Sequence, residues 1–129
     1  MIQSVYLVND AGETLAAIPI GEFQIDEALF GGFLSAIQMY SKRISGKDIK
    51  ELTLESYRLI ISKLERIFLV TIHDLKDKNA VDLNTELSKL VEGTLGDIIT
   101  DETIELIKET ATKVSSSAGR ATEWASKML

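Results

Sequence analysis

Few residues in this chain have side chains that do chemistry, and their spacing decides what they could do. His73 is the sole histidine, and Asp74 follows it. A histidine beside a carboxylate is the minimum for acid/base work, and a hydrolase built on His73 and Asp74 is the one catalytic reading available. No third group is spaced to complete a triad or a metal set, so a structural histidine at a strand end is the preferred reading. Ser45-Gly46-Lys47-Asp48 imitates the tail of a phosphate loop. It lacks the upstream glycine and precedes a strand, whereas phosphate needs the amides at a helix start. Asp97, Asp101, Glu102 and Glu105 match no calcium loop, and acids at a helix start answer to the helix dipole. There is no cysteine, which excludes disulfides, thiolate nucleophiles and cysteine-ligated zinc. No catalytic, metal-binding or cofactor-binding residue is assigned, and no cofactor is expected.

Bulk properties narrow the class further. At 129 residues, 45% hydrophobic and 26% charged, the chain has the length and composition of one globular domain with its own core. A net charge of −6 argues against nucleic acid and against anionic lipid. Met1-Ile2-Gln3-Ser4 lacks a basic n-region, so no signal peptide is expected. No apolar run reaches the length of a membrane helix, so no direct membrane insertion is expected. A cytoplasmic location is the natural expectation.

The elements that must carry these residues read in order. Val5-Tyr6-Leu7-Val8 is apolar on both faces and predicts a central strand. Asn9-Asp10-Ala11-Gly12 predicts a tight hairpin. Glu13 to Ile18, stopped by Pro19, predicts an edge strand. Asp26 is a good N-cap for a helix from Glu27 whose stripe reads Phe30, Phe33, Ile37, Tyr40 and Ile44. Ser45-Gly46 ends it. Gly31-Gly32 in its first turns implies close packing against the sheet, with a ligand contact as the lesser reading. Lys47 to Leu54 predicts a charged edge strand.

Residues 54 to 68 fit two patterns. Leu54, Tyr57, Ile61, Leu64 and Phe68 repeat as on an amphipathic helix. Leu59 and Ile60 on the polar side, with β-branched and aromatic enrichment, favour two strands, Tyr57 to Lys63 and Ile67 to His73. A second helix follows through Val81, Leu83, Leu87, Leu90 and Val91, broken near Gly93 to Gly96. Thr100 or Asp101 caps the last helix. Its seam runs Ile104, Ile107, Ala111, Val114, Ala118, Ala121, Ala125, Met128, with a weak point at Ser115-Ser116-Ser117. The domain is expected over 1–115, with a helical extension over 116–129.

The run Asp26, Leu29-Phe30-Gly31-Gly32-Phe33-Leu34-Ser35-Ala36-Ile37, then Tyr40, resembles the first helix of archaeal longin-like and roadblock-like domains. Tyr57-Arg58-Leu59-Ile60, Ile67-Phe68-Leu69-Val70 and the Asn9 to Gly12 hairpin are similar to the strands and turn of that superfamily. The resemblance covers roughly residues 1 to 110. A strand first and two helices last is the longin arrangement. It implies an α+β fold: a five-stranded antiparallel sheet in the order 2-1-5-4-3, one helix on one face and two on the other. It also implies a non-enzymatic protein-interaction module, with a small GTPase or another longin or roadblock subunit as partner and a homodimer as one form. The reading alongside it is a sensor holding a small ligand between helix and sheet, near Gly31-Gly32. For the interaction module, the partner-binding residues are Leu15 and Ala17 on the unguarded edge, and Ala118, Ala121, Trp124 and Met128 on the last seam.

Overall fold

The computed structural model describes residues 1–23, 25–94 and 99–113. Five strands form one sheet: β1 Ile2–Asn9, β2 Thr14–Pro19, β3 Glu51–Thr53, β4 Tyr57–Leu64 and β5 Ile67–Asp74. The helices are α1 Glu27–Ser45, α2 Ala80–Thr94 and α3, residues 101–113. The sheet order is β2-β1-β5-β4-β3 and every pairing is antiparallel. α1 covers one face and α2 with α3 the other, each over its own core cluster. Residues 54 to 68 therefore belong to strands and not to a helix. The architecture is the longin-type arrangement that the resemblance implies.

Strand alternation splits the core cleanly. Tyr6 and Val8 face α1, whereas Val5 and Leu7 face α2 and α3. Ile2 breaks the parity by joining the second cluster, because the β1–β5 register shifts between Ile2 and Ser4. The bulged residue, Gln3, is put to use. Its Nε2 donates to Asp74 at 2.8 Å, and its Oε1 accepts from the backbone of Glu22 and Phe23. A bulge that re-aims one side chain thus pins the segment leaving β2.

α1 begins where Asp26 accepts from the Leu29 N–H at 2.9 Å and ends at Gly46, which adopts a left-handed φ of 75°. Its buried face differs from the expected stripe. Phe30, Gly31, Leu34 and Gln38 are buried, while Phe33, Tyr40 and Ile44 are exposed. The helix carries two apolar stripes, and the one holding Phe30 wins because Phe30 stacks on Tyr6 at 4.2 Å between ring centroids. Gly31 is packed as expected, against the β1–β2 turn and Thr14 at the start of β2. A Cβ there would lie 2.3 Å from the Gly12 carbonyl oxygen. That leaves no room for a ligand at Gly31. Gly32 has open space around it.

β3 is shorter than the expected strand over Lys47 to Leu54. Just before it, Gln38 of α1 holds Ile49: its Oε1 accepts from the Ile49 N–H at 2.7 Å and its Nε2 donates to the Ile49 carbonyl at 3.0 Å. Lys50 and Leu54 turn their main-chain groups to β4, so those of Ile49 point to the outer edge, where the buried amide satisfies them. On the other face, Thr100 caps α3 by accepting from the Thr103 N–H at 3.2 Å. Ile107 and Ala111 of α3 are fully buried, which fits the first half of the predicted seam.

The two adjacent glycines should respond oppositely to alanine. Gly31→Ala forces a methyl into backbone and should destabilise the chain by about 1–3 kcal/mol. Gly32→Ala gains helix propensity without a clash and should stabilise the isolated fold by roughly 1 kcal/mol. Urea unfolding of both variants at neutral pH checks the pair.

Candidate functional site

His73 is fully buried, and its carboxylate partner is Asp77, not Asp74. Nδ1 lies 2.9 Å from Asp77 Oδ2, and Nε2 lies 2.8 Å from Thr71 Oγ1. Asp74 is turned to Gln3. The chain of bonds continues inward. Asn84 of α2 donates to Thr71 Oγ1 at 2.9 Å and to the Ile60 carbonyl at 3.0 Å, and its Oδ1 accepts from the Ser62 hydroxyl. One direction of donation satisfies every member. The Ser62 hydroxyl donates to Asn84, Asn84 to Thr71, Thr71 to His73 Nε2, and His73 Nδ1–H to Asp77. That direction requires a neutral imidazole protonated on Nδ1.

Electrostatics agree with that state. Burial holds the His73 pKa below its ordinary value, against the opposing hydrogen bond and charge of Asp77. For Asp77, burial pushes the pKa up, but the Asn79 backbone N–H, His73 and the Met1 ammonium at 3.2 Å together outweigh it, and the carboxyl stays below its usual range. A neutral, enclosed histidine whose two nitrogens are both engaged does not reach a substrate. The network ties β4, β5 and α2 together. The partner three residues beyond Asp74 is signalled only by the turn Asp74 to Asn79, which brings Asp77 back under the strand.

Among the described residues, no group of three metal-ligating side chains gathers. Asp97 lies outside the described residues, so the acidic cluster at the start of α3 is not assembled in view. Gly46 and Lys47 belong to the end of α1, with the Gly46 N–H donating to Lys42. No described helix is long and apolar enough to cross a membrane.

What the surface offers instead is apolar. On α1, Leu29, Phe33, Tyr40 and Ile44 are 64, 40, 69 and 68% exposed. With Ala36, also exposed, they follow one another at spacings of three and four, one continuous stripe. Acids and bases bracket it. Asp26 and Glu27 stand at the start of the helix, Lys42 and Arg43 in its last turn. This stripe is legible in the sequence, since Phe33, Tyr40 and Ile44 were read as apolar face residues. What could not be read was that they face outward.

The edge-strand residues separate. Leu15 is the unpaired residue of a bulge, since Ala16 pairs with Leu7 and Thr14 with Val8, and it is 42% exposed. Ala17 is half-buried against the α1-side cluster. Ala118, Ala121, Trp124 and Met128 lie outside the described residues.

No family model matches the chain, and no curated protein does. Solved structures are similar to it, MglB among them. Myxococcus xanthus MglB is 19% identical over 90% of this chain and 85% of its own, with a TM-score of 0.49. A second, described as MglB with tetrameric arrangement, is 16% identical over 87% of this chain and 79% of its own, also at 0.49. At this distance the reading of the protein rests on its own sheet order and surfaces.

The His73 network makes a pH prediction. The folded pKa lies below the unfolded one, so the unfolded chain takes up the proton first as pH falls. The stability that neutral His73 contributes is complete above about 6.5 and is lost on acidification below it. Unfolding free energy should decline from pH 7.5 to 5.5 with a slope of at most about 1.4 kcal/mol per pH unit. His73→Gln should flatten that slope. A wild-type chain with flat stability across this window contradicts the assignment.

Proposed function

We propose that the chain is a non-enzymatic protein-interaction module, a scaffold or subunit in a small-GTPase regulator or trafficking-like complex, that works by self-association through α1. The observation that carries it is the outward apolar stripe of that helix. A helix buried on one side and apolar on the other is stable only if the second side finds a cover.

The stripe fits a second copy of itself. Leu29 and Phe33 are four residues apart, and so are Tyr40 and Ile44. Two α1 helices laid antiparallel about a two-fold axis near Ala36 set Leu29 against the partner's Ile44 and Phe33 against the partner's Tyr40. The same arrangement brings Asp26 and Glu27 towards the partner's Arg43 and Lys47. Ala36 and Gly32 are small where the helices cross, which permits close approach and gives Gly32 a use that packing within one chain does not. Such a contact is isologous, as a dimer requires. The small-GTPase partner follows from the sequence resemblance, and the Leu15 edge and the Ala118, Ala121, Trp124 and Met128 seam are further partner-binding surfaces in this reading.

Light scattering checks the surfaces one at a time. The full chain should be dimeric, and Phe33→Asp with Tyr40→Asp should make it monomeric with unchanged circular dichroism. Leu15→Lys and a chain ending at Ser115 report separately on the edge and the tail. A monomeric wild type, or a dimer indifferent to the α1 pair, rejects self-association through this helix. A small GTPase identified among proteins captured from the source lysate tests the regulatory role.

A further inference from the structure

β4 extends past its partner. β3 pairs Glu51–Thr53 with Ile60, Leu59 and Arg58, and one further bond runs from the Ile61 N–H to the Lys50 carbonyl at 2.8 Å. β4 continues to Leu64, paired with β5 on its other side as far as the turn. The odd-numbered residues of β4 address β3. The Tyr57 carbonyl accepts from the Leu54 N–H, and Ile61 donates to Lys50. Main-chain groups alternate sides along a strand, so Lys63 turns its N–H and C=O the same way. Among the described residues no strand meets them there.

Beyond the end of β3, residue 49 is held by Gln38 of α1 and Asp48 stands beside Lys63 through its side chain. A groove of about 510 Å³ lies there, bounded by residues 48–50, by residues 61–64 of β4, and by Thr85, Ser88 and Lys89 of α2. Ser88 is a second, independent sign. Ser88 lines the groove, and its hydroxyl is buried behind that wall with no hydrogen-bond partner among the described residues. A buried hydroxyl left unpaired costs about 1–3 kcal/mol.

We propose that this groove takes an extended peptide segment of a partner protein, which adds to β4 beside Lys63 and supplies a polar group to Ser88. A second backbone is the occupant that presents an acceptor and a donor at the spacing Lys63 offers. Side chains of that segment alternate, one set onto Leu64 and α2, the other onto Ile61 and Phe68. The rim sets a charge preference. Lys63 is paired with Asp48, which sets Lys50 and Lys89 against Glu92, so a segment with a carboxylate is favoured. The groove is separate from the outer face of α1 and does not depend on self-association.

The test is selection of a displayed random-peptide library on the full chain, followed by amide exchange of the chain with a selected peptide. Bound peptide should slow exchange at the Lys63 amide by about tenfold or more. Lys63→Ala keeps the amide and should bind with little change, whereas Lys63→Pro removes the donor and should weaken binding about tenfold. Should Lys63→Pro fail to fold, Ser88→Trp fills the groove from α2 and should abolish binding. Three outcomes overturn the proposal: no peptide selected, peptides bound without protection of Lys63 or without response to these variants, or Lys63 protected by raising protein concentration alone. The last would make the occupant a second copy of this chain.

Discussion

β1 and β5 lie side by side in the middle of the sheet with a helical layer against each face, so neither strand has a side that water reaches. Val5, Leu7, Leu69, Val70 and Ile72 are all fully buried. A polar group admitted to this interior is costly unless it finds a partner inside it, and the Ser4 hydroxyl of β1 has none among the described residues. Thr71 and His73 find theirs through Asn84 and Asp77 in one directed chain of hydrogen bonds. The middle of the sheet is thereby spent on stability. Variation is left to the outer helix face and the sheet edges, and both surfaces argued for here lie there.

That division also explains what the sequence made legible. Runs apolar on both faces can only be covered strands, so β1, β4 and β5 were readable, and the turn residues between them fixed an antiparallel order. The caps at Asp26 and Gly46 were readable because their chemistry is local. The face of α1 was not. Phe30 and Phe33 lie on different stripes, and periodicity cannot rank two apolar stripes on one helix. The choice is made by Tyr6, from a strand twenty-four residues earlier. β3 is shorter than the charged run Lys47 to Leu54 suggests, and nothing near Ile49 announces that its main chain is held by Gln38, eleven residues back. His73 reads as structural from its place at a strand end, but its partner is Asp77, supplied by the turn, and not its chain neighbour.

Gln38 shows how one buried amide can finish a sheet. Hydrogen-bonded to both main-chain groups of Ile49, it mimics a single residue of strand. Those groups point away from β4, so a helix side chain stands where a sixth strand would and closes the edge at that point. An aliphatic residue at 38 would leave both groups without these bonds.

The seating of the β1–β2 turn on α1 has a consequence for how the chain can be remodelled. Hairpin tips are ordinarily where a protein accepts a tag, a graft or a new terminus. Here Gly12 is held in a left-handed conformation with φ of 85°, and its carbonyl rests where Gly31 has no side chain. Any graft spliced into residues 10–12 would have to lever the first helix off its bed.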